Sequence, residues 1–250
     1  MKRFILNLVS TPLSQIISFL QIPIPILSGV GKGLRWIPSR RGVHSYWLGT
    51  YEPEVQEALT LSLEPGDVFW DIGAQSGFFS LLACRIVGTQ GHVCSLDPEP
   101  LNIECQNRIC QSNHFTHWES LEGALWSSKD QIQLESRGPF TSVVSSDTQA
   151  TESSRTISAL DIPSLLEIWP APKCIKCDIE GAETDVFSSS GAKSLPKDCI
   201  LIIEIHGDDS LKTLKEFAED TGRVWKDTQG HPISQANPWG VYILAPDNPR

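Results

Sequence analysis

The stretch Asp67-Val68-Phe69-Trp70-Asp71-Ile72-Gly73-Ala74-Gln75-Ser76-Gly77 (residues 67–77) decides the fold, because a short apolar run passes directly into a glycine-rich turn. The run follows a turn at Pro65 and Gly66, which predicts a buried strand over residues 67–72. Residues 77–87 (GFFSLLACRIV) then place apolar side chains at helical spacing. A strand that enters a helix through glycines brings the backbone close to a ligand and points helix N–H groups at it. A tight turn that needs glycine only for its backbone conformation is the alternative interpretation.

The alternation of strand and helix continues toward the C-terminus. Further strands are predicted over residues 92–96, 117–121, 173–179 and 199–205, and a second helix over residues 98–111. Strands separated by helices form parallel βαβ units, so the predicted fold class is α/β, with a Rossmann-like, mostly parallel sheet and helices on both faces. Residues 222–227 and 240–244 predict two more strands joined by a loop rich in Pro, Gly and Asn. The sheet is therefore expected to end with an antiparallel C-terminal strand.

The chain of 250 residues is expected to contain one main domain with additions. We predict a docking segment over residues 1–45 and the main domain over residues 46–250, with a Ser/Thr/Asp-rich insertion at residues 127–156 that forms a hairpin or flap. The apolar N-terminus briefly resembles a signal peptide, but its apolar run is short and Pro12, Pro23 and Pro25 interrupt any long helix. Docking against the domain is the favoured interpretation, and peripheral contact with a membrane is the alternative.

The composition limits the function classes. A formal net charge of −10 repels phosphate backbones and argues against sequence-independent binding of nucleic acid. Seven cysteines, an odd number in a chain too large to need disulfides, predict reduced thiols and a cytoplasmic location. Cys174 and Cys177 match C-x-x-C but fall in a predicted buried strand, so we interpret them as buried apolar residues rather than a redox or zinc pair.

The spacing of the glycines indicates which cofactor the loop binds. A dinucleotide-binding turn has the pattern G-x-G-x-x-G, whereas here three residues separate Gly73 from Gly77. Asp71 stands just ahead of the loop, where a carboxylate disfavours a pyrophosphate and favours an ammonium or a sulfonium. The loop therefore favours S-adenosylmethionine over NAD, and we predict Asp71, Gly73, Ala74 and Gly77 as cofactor-binding residues.

Two segments further along the chain are predicted to complete the nucleoside site. Asp97 ends the second strand about 20 residues beyond the loop, where an acid can accept both ribose hydroxyls. Its alternative role is the N-cap of a helix that begins at Pro98. Gly123 and Ala124 follow the third strand and are expected at the adenine edge, where Trp126 would either stack on the base or cap the core.

A stretch before the cofactor loop is a candidate cover for the cofactor. His44, Tyr46 and Trp47 precede Gly49 and could form a lid, or they could belong to a helix packed on the domain. Within this stretch we predict that Glu52 pairs with the ammonium group of the methionine moiety.

The octad at residues 176–183 (KCDIEGAE) resembles the signature K-x-D-x-E-G-x-E of the FkbM family of methyltransferases. Three further stretches agree with the family in order, at residues 48–54, 71–77 and 203–206. The resemblance spans residues 46–244 and implies a class I methyltransferase fold that transfers methyl groups mostly to hydroxyls of sugars, polyketides or similar small molecules. The chain departs from the family at Asp97, where Glu is commoner, and at Gln75, where Asn is usual.

Four polar residues are expected to meet at one edge of the sheet. Asp178 and Glu180 follow one predicted strand, and Glu204 and His206 end the next. Carboxyl ends of parallel strands form the ligand-binding edge, and residues two apart on a strand share a face. We predict these four residues as the catalytic group, with His206 as general base because its unperturbed pKa lies near neutrality. A structural ion-pair cluster is the alternative, and no pattern in the sequence demands a metal ion, although such carboxylates could hold one.

Taken together, the sequence predicts a methyltransferase that uses S-adenosylmethionine to methylate a hydroxyl of a small molecule or glycan by in-line transfer. Direct binding of nucleic acid is not expected. An NAD-type oxidoreductase is the alternative enzyme class, and the missing G-x-G-x-x-G disfavours it. A non-catalytic partner protein that retains the fold is the second alternative.

Overall fold

The strand that the opening stretch predicts is at the centre of a seven-stranded sheet in the computed structural model, which describes residues 21–38, 45–137, 140–143 and 154–247. The sheet consists of β3 (Val68–Ile72), β4 (His92–Asp97), β5 (Trp118–Glu122), β10 (Cys174–Cys177), β11 (Ile200–His206), β12 (Arg223–Lys226) and β13 (Trp239–Pro246). Their spatial order is β12-β13-β11-β10-β3-β4-β5. The pairs from β11 to β5 are parallel, whereas β13 is antiparallel to both β11 and β12. The predicted α/β fold with an antiparallel C-terminal strand is confirmed.

Helices cover both faces of this sheet, as predicted. In chain order the helices are α1 (Ser45–Leu48), α2 (Pro53–Ser62), α3 (Phe78–Val87), α4 (Pro100–Ser112), α5 (Ile162–Ile168), α6 (Glu183–Ser188) and α7 (Asp208–Thr221). Alternate residues of each strand face opposite layers, so Phe69 packs with the core under α2 and α3 while Trp70 packs with the core under α5, α6 and α7. Cys174 and Cys177 fall in different cores for the same reason, and both are free thiols.

A second, four-stranded sheet follows β5. It contains β6 (Ala124–Leu125), β7 (Asp130–Arg137), β8 (Phe140–Val143) and β9 (Ser154–Leu160), in the order β6-β9-β7-β8. The described part of the predicted insertion thus includes the antiparallel pair β7 and β8, and residues 138–139 and 144–153 lie outside the described residues. β9 was not predicted from the sequence. Its apolar residues Ile157 and Ala159 alternate with polar ones and face the small core of this second sheet.

The segment ahead of the domain is packed against it where it is described. Residues 21–38 contain β1 (Ile24–Pro25) paired antiparallel with β2 (Arg35–Trp36), and Ile26 and Trp36 are both 1% exposed within the core under α2 and α3. Arg85 of α3 donates to the carbonyls of Val30 and Lys32 at 3.0 and 2.6 Å. The docking prediction also covers residues 1–20 and 39–44, which lie outside the described residues. Within the described part of the chain, no helix is both long and apolar enough to cross a membrane.

Candidate active site

The loop between β3 and α3 can be formed only with glycine at two positions. Gly73 and Gly77 have φ of 75° and 82°, in the left-handed region that favours glycine. A Cβ on Gly73 would lie 1.8 Å from the carbonyl oxygen of Asp178, and one on Gly77 would lie 2.7 Å from the ring of Trp118. The backbone N–H groups of Gly73 and Ala74 donate to the carbonyl of Leu96 at 3.0 and 3.1 Å. The loop is therefore clamped between the ends of β4 and β10.

Asp97 supports this loop directly. Its carboxylate is 3% exposed and accepts hydrogen bonds from the backbone N–H of Gln75 at 2.7 Å, the backbone N–H of Glu99 at 2.9 Å and Nδ2 of Asn102 at 2.8 Å. Burial raises its pKa to about 6, and these three donors lower it in part. The alternative that Asp97 caps a helix starting at Pro98 is wrong, because α4 begins at Pro100 with Glu99 at its N-cap. Binding of the ribose by Asp97 stays a prediction.

Asp71 lies beneath the loop rather than on its surface. The side chain is fully buried, Oδ2 accepts a hydrogen bond from Ser80 at 2.6 Å, and Oδ1 has no hydrogen-bond partner among the described residues. Burial raises the pKa of this carboxyl, and Lys176 opposes the shift. A direct contact of Asp71 with the cofactor stays a prediction, whereas its support of α3 through Ser80 is evident in the structure.

Lys176 is the buried cation of the site, and its role was not predicted from the sequence. Its Nζ lies 3.2 Å from Oδ2 of Asp178 and 5.4 Å from the centre of the Phe79 ring. Burial lowers the pKa of Lys176, but Asp178, Asp71 and Glu52 raise it by more, so the net shift is upward. A lysine within the apolar strand KCIKC could have indicated that Lys176 pairs with carboxylates of the site, since a buried charge needs a partner.

The segment that contains α1 and α2 borders the site on the side of the core under α2 and α3. Glu52 precedes α2 with a left-handed backbone (φ 39°), and burial raises its pKa while Tyr51 and Lys176 lower it. Tyr46 of α1 donates through its hydroxyl to Oε1 of Gln75 at 3.4 Å, and its ring centre lies 4.3 Å from that of Tyr51. Tyr46 is thus both part of the core and in contact with the cofactor loop, and His44 lies outside the described residues.

The residues predicted at the adenine edge lie at the junction of the two sheets. Gly123 is buried and donates its backbone N–H to the carbonyl of Asp97 at 3.1 Å, which places it beside the end of β4. Ala124 starts β6, and Trp126 packs against the small core, as the core-capping alternative for this tryptophan predicts. Arg155 of β9 pairs with Glu99 at 3.4 Å and Glu122 at 3.6 Å, which links the second sheet to this edge.

The predicted catalytic residues do converge, and we call Asp178, Glu180, Glu204 and His206 the rim. Nε2 of His206 lies 3.7 Å from Asp178 Oδ1, 3.6 Å from Glu180 Oε2 and 3.9 Å from Glu204 Oε1. Glu180 adopts a left-handed backbone conformation (φ 53°) to reach this position. The side chains of Asp178 and His206 are 16% and 14% exposed, and those of Glu180 and Glu204 are about twice as exposed, at 32% and 35%.

Glu183 is a fifth member of this cluster, and its role was not predicted from the sequence. It is fully buried at the start of α6, and its Oε1 lies 2.9 Å from Nδ1 of His206. Its Oε2 accepts a hydrogen bond from Ser210 at 3.0 Å. This contact fixes the orientation of the imidazole, so that Nε2 faces the three rim carboxylates.

The electrostatics of the rim differ from the expectation for His206. Burial lowers its pKa, but the hydrogen bond to Glu183 and the surrounding carboxylates raise it by more, to about 9. The carboxylates around the imidazole thus favour its protonated form, in contrast to the unperturbed pKa from which the general-base role of His206 was predicted. That role stays a prediction. Burial, and then the charge of Asp178, raise the pKa of Glu204 to about 7. The rim is strongly acidic, and it favours a cation or a donor of hydrogen bonds.

Comparison of the sequence with family models finds a match to the methyltransferase FkbM domain over residues 71–225, which is more than half of the chain. The chain belongs to the FkbM methyltransferase family. Comparison with curated proteins finds no match.

Comparison with solved structures finds similar chains among methyltransferases. The FkbM methyltransferase from Methylobacillus flagellatus KT superposes with a TM-score of 0.51 at 16% identity, over 72% of this chain and 43% of that one. A precorrin-6y C5,15-methyltransferase from Geobacter metallireducens GS-15 gives a TM-score of 0.49 at 16% identity, over 78% and 88% of the two chains. The fibrillarin of Aeropyrum pernix, solved with S-adenosyl-L-methionine, gives 0.46 at 12% identity, over 76% and 73%.

The protein is thus a class I methyltransferase, and its cofactor is S-adenosylmethionine. The described residues fit this cofactor. The acidic surroundings of Glu52 and the rim suit a molecule that carries an ammonium and a sulfonium. Asp71 Oδ1 is a buried acceptor without a described partner at the same edge.

Proposed function

We propose that the protein transfers the methyl group of S-adenosylmethionine to a hydroxyl oxygen of a small molecule or a sugar. The observation that carries this proposal is the position of the rim, at the carboxyl ends of β10 and β11 and beside the loop that follows β3. Contact between the two is direct, because the carbonyl of Asp178 lies where a Cβ of Gly73 would be. An acceptor bound at the rim is therefore held next to the cofactor loop.

When bound, S-adenosylmethionine would supply an electrophilic methyl group on its sulfonium. The acceptor oxygen would form the new C–O bond in line as the C–S bond breaks and S-adenosylhomocysteine leaves. The hydroxyl proton would pass to a rim carboxylate, for which Glu204, with a pKa raised to about 7 by burial, is suited. The contribution of the protein is orientation, which can lower such a barrier by several kcal/mol. Carboxylates of Asp178, Glu180 and Glu204 accept hydrogen bonds from hydroxyls of the acceptor, and the half-buried setting strengthens these bonds relative to water. His206, held by Glu183, keeps the three carboxylates from repelling one another while the acceptor is absent.

A polyanionic acceptor fits this rim poorly. The chain carries a formal net charge of −10, and the acceptor side of the site adds carboxylates rather than basic residues. A neutral, hydroxylated acceptor can instead donate its hydroxyl protons to the carboxylates. This charge balance is the reason that we favour a small molecule or glycan over nucleic acid.

We also propose that the reaction takes place in the cytoplasm. All seven cysteines are free, and five of them are buried in the two main cores. Reduced thiols inside a chain of this size are typical of a reducing compartment.

The test is a product assay with the full-length protein, S-adenosylmethionine and a panel of hydroxylated small molecules, sugars and glycans, read by mass spectrometry. We expect a product one methyl group heavier whose added carbon is bonded to oxygen. The variant Asp178→Asn should lose transfer and still bind S-adenosylhomocysteine, since it changes the rim and leaves the loop backbone in place. Methylation at nitrogen or carbon, or wild-type turnover by Asp178→Asn, would contradict the proposal.

A further inference from the structure

The rim has the composition and spacing of a metal-binding site. One ligand atom each from Asp178, Glu204 and His206 can be chosen so that all three lie within 4.8 Å of one another. We propose that these three residues bind one divalent transition-metal ion, which in turn holds the hydroxyl of the acceptor. The role toward the acceptor rests on the proposed function, whereas binding of the ion does not.

The distances around His206 Nε2 suit a shared ion better than direct hydrogen bonds. They run from 3.6 to 3.9 Å, beyond the range of roughly 2.7–3.2 Å for N–H···O bonds. Two ligands bound at about 2.1 Å lie roughly 3.0 Å apart at a right angle and roughly 3.4 Å apart at the tetrahedral angle. A shift of a few tenths of an ångström would bring each of Asp178 and Glu204 to the distance from Nε2 that two ligands of one ion have.

Glu183 prepares the imidazole for this role. Metal-binding histidines usually donate their second ring N–H to a carboxylate, which fixes the tautomer and the direction of the ring. Nδ1 of His206 makes this contact with Glu183 at 2.9 Å, and Glu183 is fully buried and held by Ser210. Nδ1 is thus committed to Glu183, and Nε2 is the atom directed at the carboxylates.

Lys176 orients the carboxylate of Asp178 in the same way that Glu183 orients His206. Its Nζ lies 3.2 Å from Oδ2, so the ion pair uses one carboxylate oxygen and leaves Oδ1 on the side of His206. Two of the three proposed ligands, Asp178 and His206, are therefore each oriented by a buried partner that is not itself a ligand. A cluster of acidic side chains that merely repel one another would not need these two orienting contacts.

The choice of ligands indicates the class of ion. One imidazole nitrogen with carboxylate oxygens suits Mn²⁺, Fe²⁺ or Zn²⁺, whereas Mg²⁺ and Ca²⁺ prefer oxygen alone. An ion on Nε2 displaces the proton that His206 carries there, and a divalent ion still adds one net positive charge. Among the described residues, the cations that face Asp178, Glu180, Glu183 and Glu204 in this group are Lys176 and His206. With three protein ligands, the ion keeps open positions for an oxygen of the acceptor.

The experiment is a titration of the full-length protein with Mn²⁺ alone, after treatment with a chelator and desalting. Calorimetry, together with the loss of the free Mn²⁺ signal in electron paramagnetic resonance, should show one ion per chain. We expect His206→Ala and Glu204→Gln to lower the affinity by about tenfold or more, and Glu183→Gln to lower it by about tenfold through the orientation of His206. The control His231→Ala should keep wild-type affinity, because its histidine pairs with Asp227 on the exposed surface, outside the site.

Binding of S-adenosylhomocysteine, measured on the same samples, reports the fold of each variant and separates the two proposals. Saturable Mn²⁺ binding by the wild type that weakens in His206→Ala and Glu204→Gln supports the metal site, as long as these variants bind S-adenosylhomocysteine as the wild type does. The absence of Mn²⁺ and Zn²⁺ binding by protein that binds S-adenosylhomocysteine would overturn the metal site and leave the proposed function standing. Competition between Mn²⁺ and S-adenosylhomocysteine would also overturn it, since the carboxylates would then belong to the cofactor.

Discussion

Gly73 offers the sharpest test of how the cofactor loop is built, through the variant Gly73→Ala. The left-handed backbone at this position (φ 75°) costs an alanine about 1–2 kcal/mol. The added methyl would also lie 1.8 Å from the carbonyl oxygen of Asp178, an overlap with rigid backbone at the end of β10. Overpacking of this kind costs about 1–3 kcal/mol, so we expect the free energy of unfolding to fall by about 2–5 kcal/mol in total.

Gly222→Ala is the matched control, because Gly222 has φ of 67° and nothing within 4 Å of an added Cβ. It should lose only the backbone contribution of about 1–2 kcal/mol. Urea unfolding of both variants isolates the overlap, and calorimetry with S-adenosylhomocysteine should show a loss of affinity of about tenfold or more for Gly73→Ala alone, the equivalent of about 1.4 kcal/mol. Equal stability and equal affinity of the two variants would refute the close approach of the loop to β10.

Three further predictions concern the surroundings of the loop and the rim. Lys176→Met should destabilise the protein by about 3–5 kcal/mol in urea unfolding, because it leaves buried carboxylates unpaired. The control Lys193→Met removes an exposed ion pair and should cost less than about 1 kcal/mol. Equal losses of stability in the two variants would contradict the role of Lys176. Asp97→Ala should weaken binding of S-adenosylhomocysteine in calorimetry, since the N–H of Gln75 loses its acceptor, and unchanged affinity would show that Asp97 does not shape the loop. Trp239→Ala should raise KM for the acceptor and leave kcat nearly unchanged in steady-state kinetics, because the indole is 71% exposed and its ring lies 6.4 Å from that of His206; a fall in kcat alone would place Trp239 in the chemistry instead.

The fold was predictable because several strands at the centre of its sheet are largely apolar and buried along their length. Runs such as residues 199–205 (CILIIEI) are buried on both faces in the structure, and their composition alone indicates a strand. β9 is different, since Ile157 and Ala159 alternate with polar residues along most of the strand and it follows a stretch rich in Ser and Thr. A half-buried strand of this kind is specified by the sheet that it joins more than by its own composition.

The position of the rim was predictable from the topology of the sheet, whereas the pKa of His206 within it was not. Parallel neighbours β10 and β11 must end at the same edge, so Asp178 and His206 had to be close. The position of Glu183 depends instead on how α6 packs, which brings its carboxylate to Nδ1 across the crossover between the two strands. No local pattern encodes such a contact, and the pKa of His206 could therefore not be anticipated.

Backbone strain marks the same edge of the sheet independently of charge. Of five non-glycine residues with positive φ in the described chain, Glu52, Gln75 and Glu180 belong to the site. Each such conformation costs on the order of 1–3 kcal/mol and persists only where surrounding contacts impose it. For Gln75 these contacts are visible, because its N–H binds Asp97 and its carbonyl accepts a hydrogen bond from the fully buried Gln106 at 2.6 Å. The strain is thus maintained by buried partners of the loop, which is expected of a site whose geometry is set before its ligands bind.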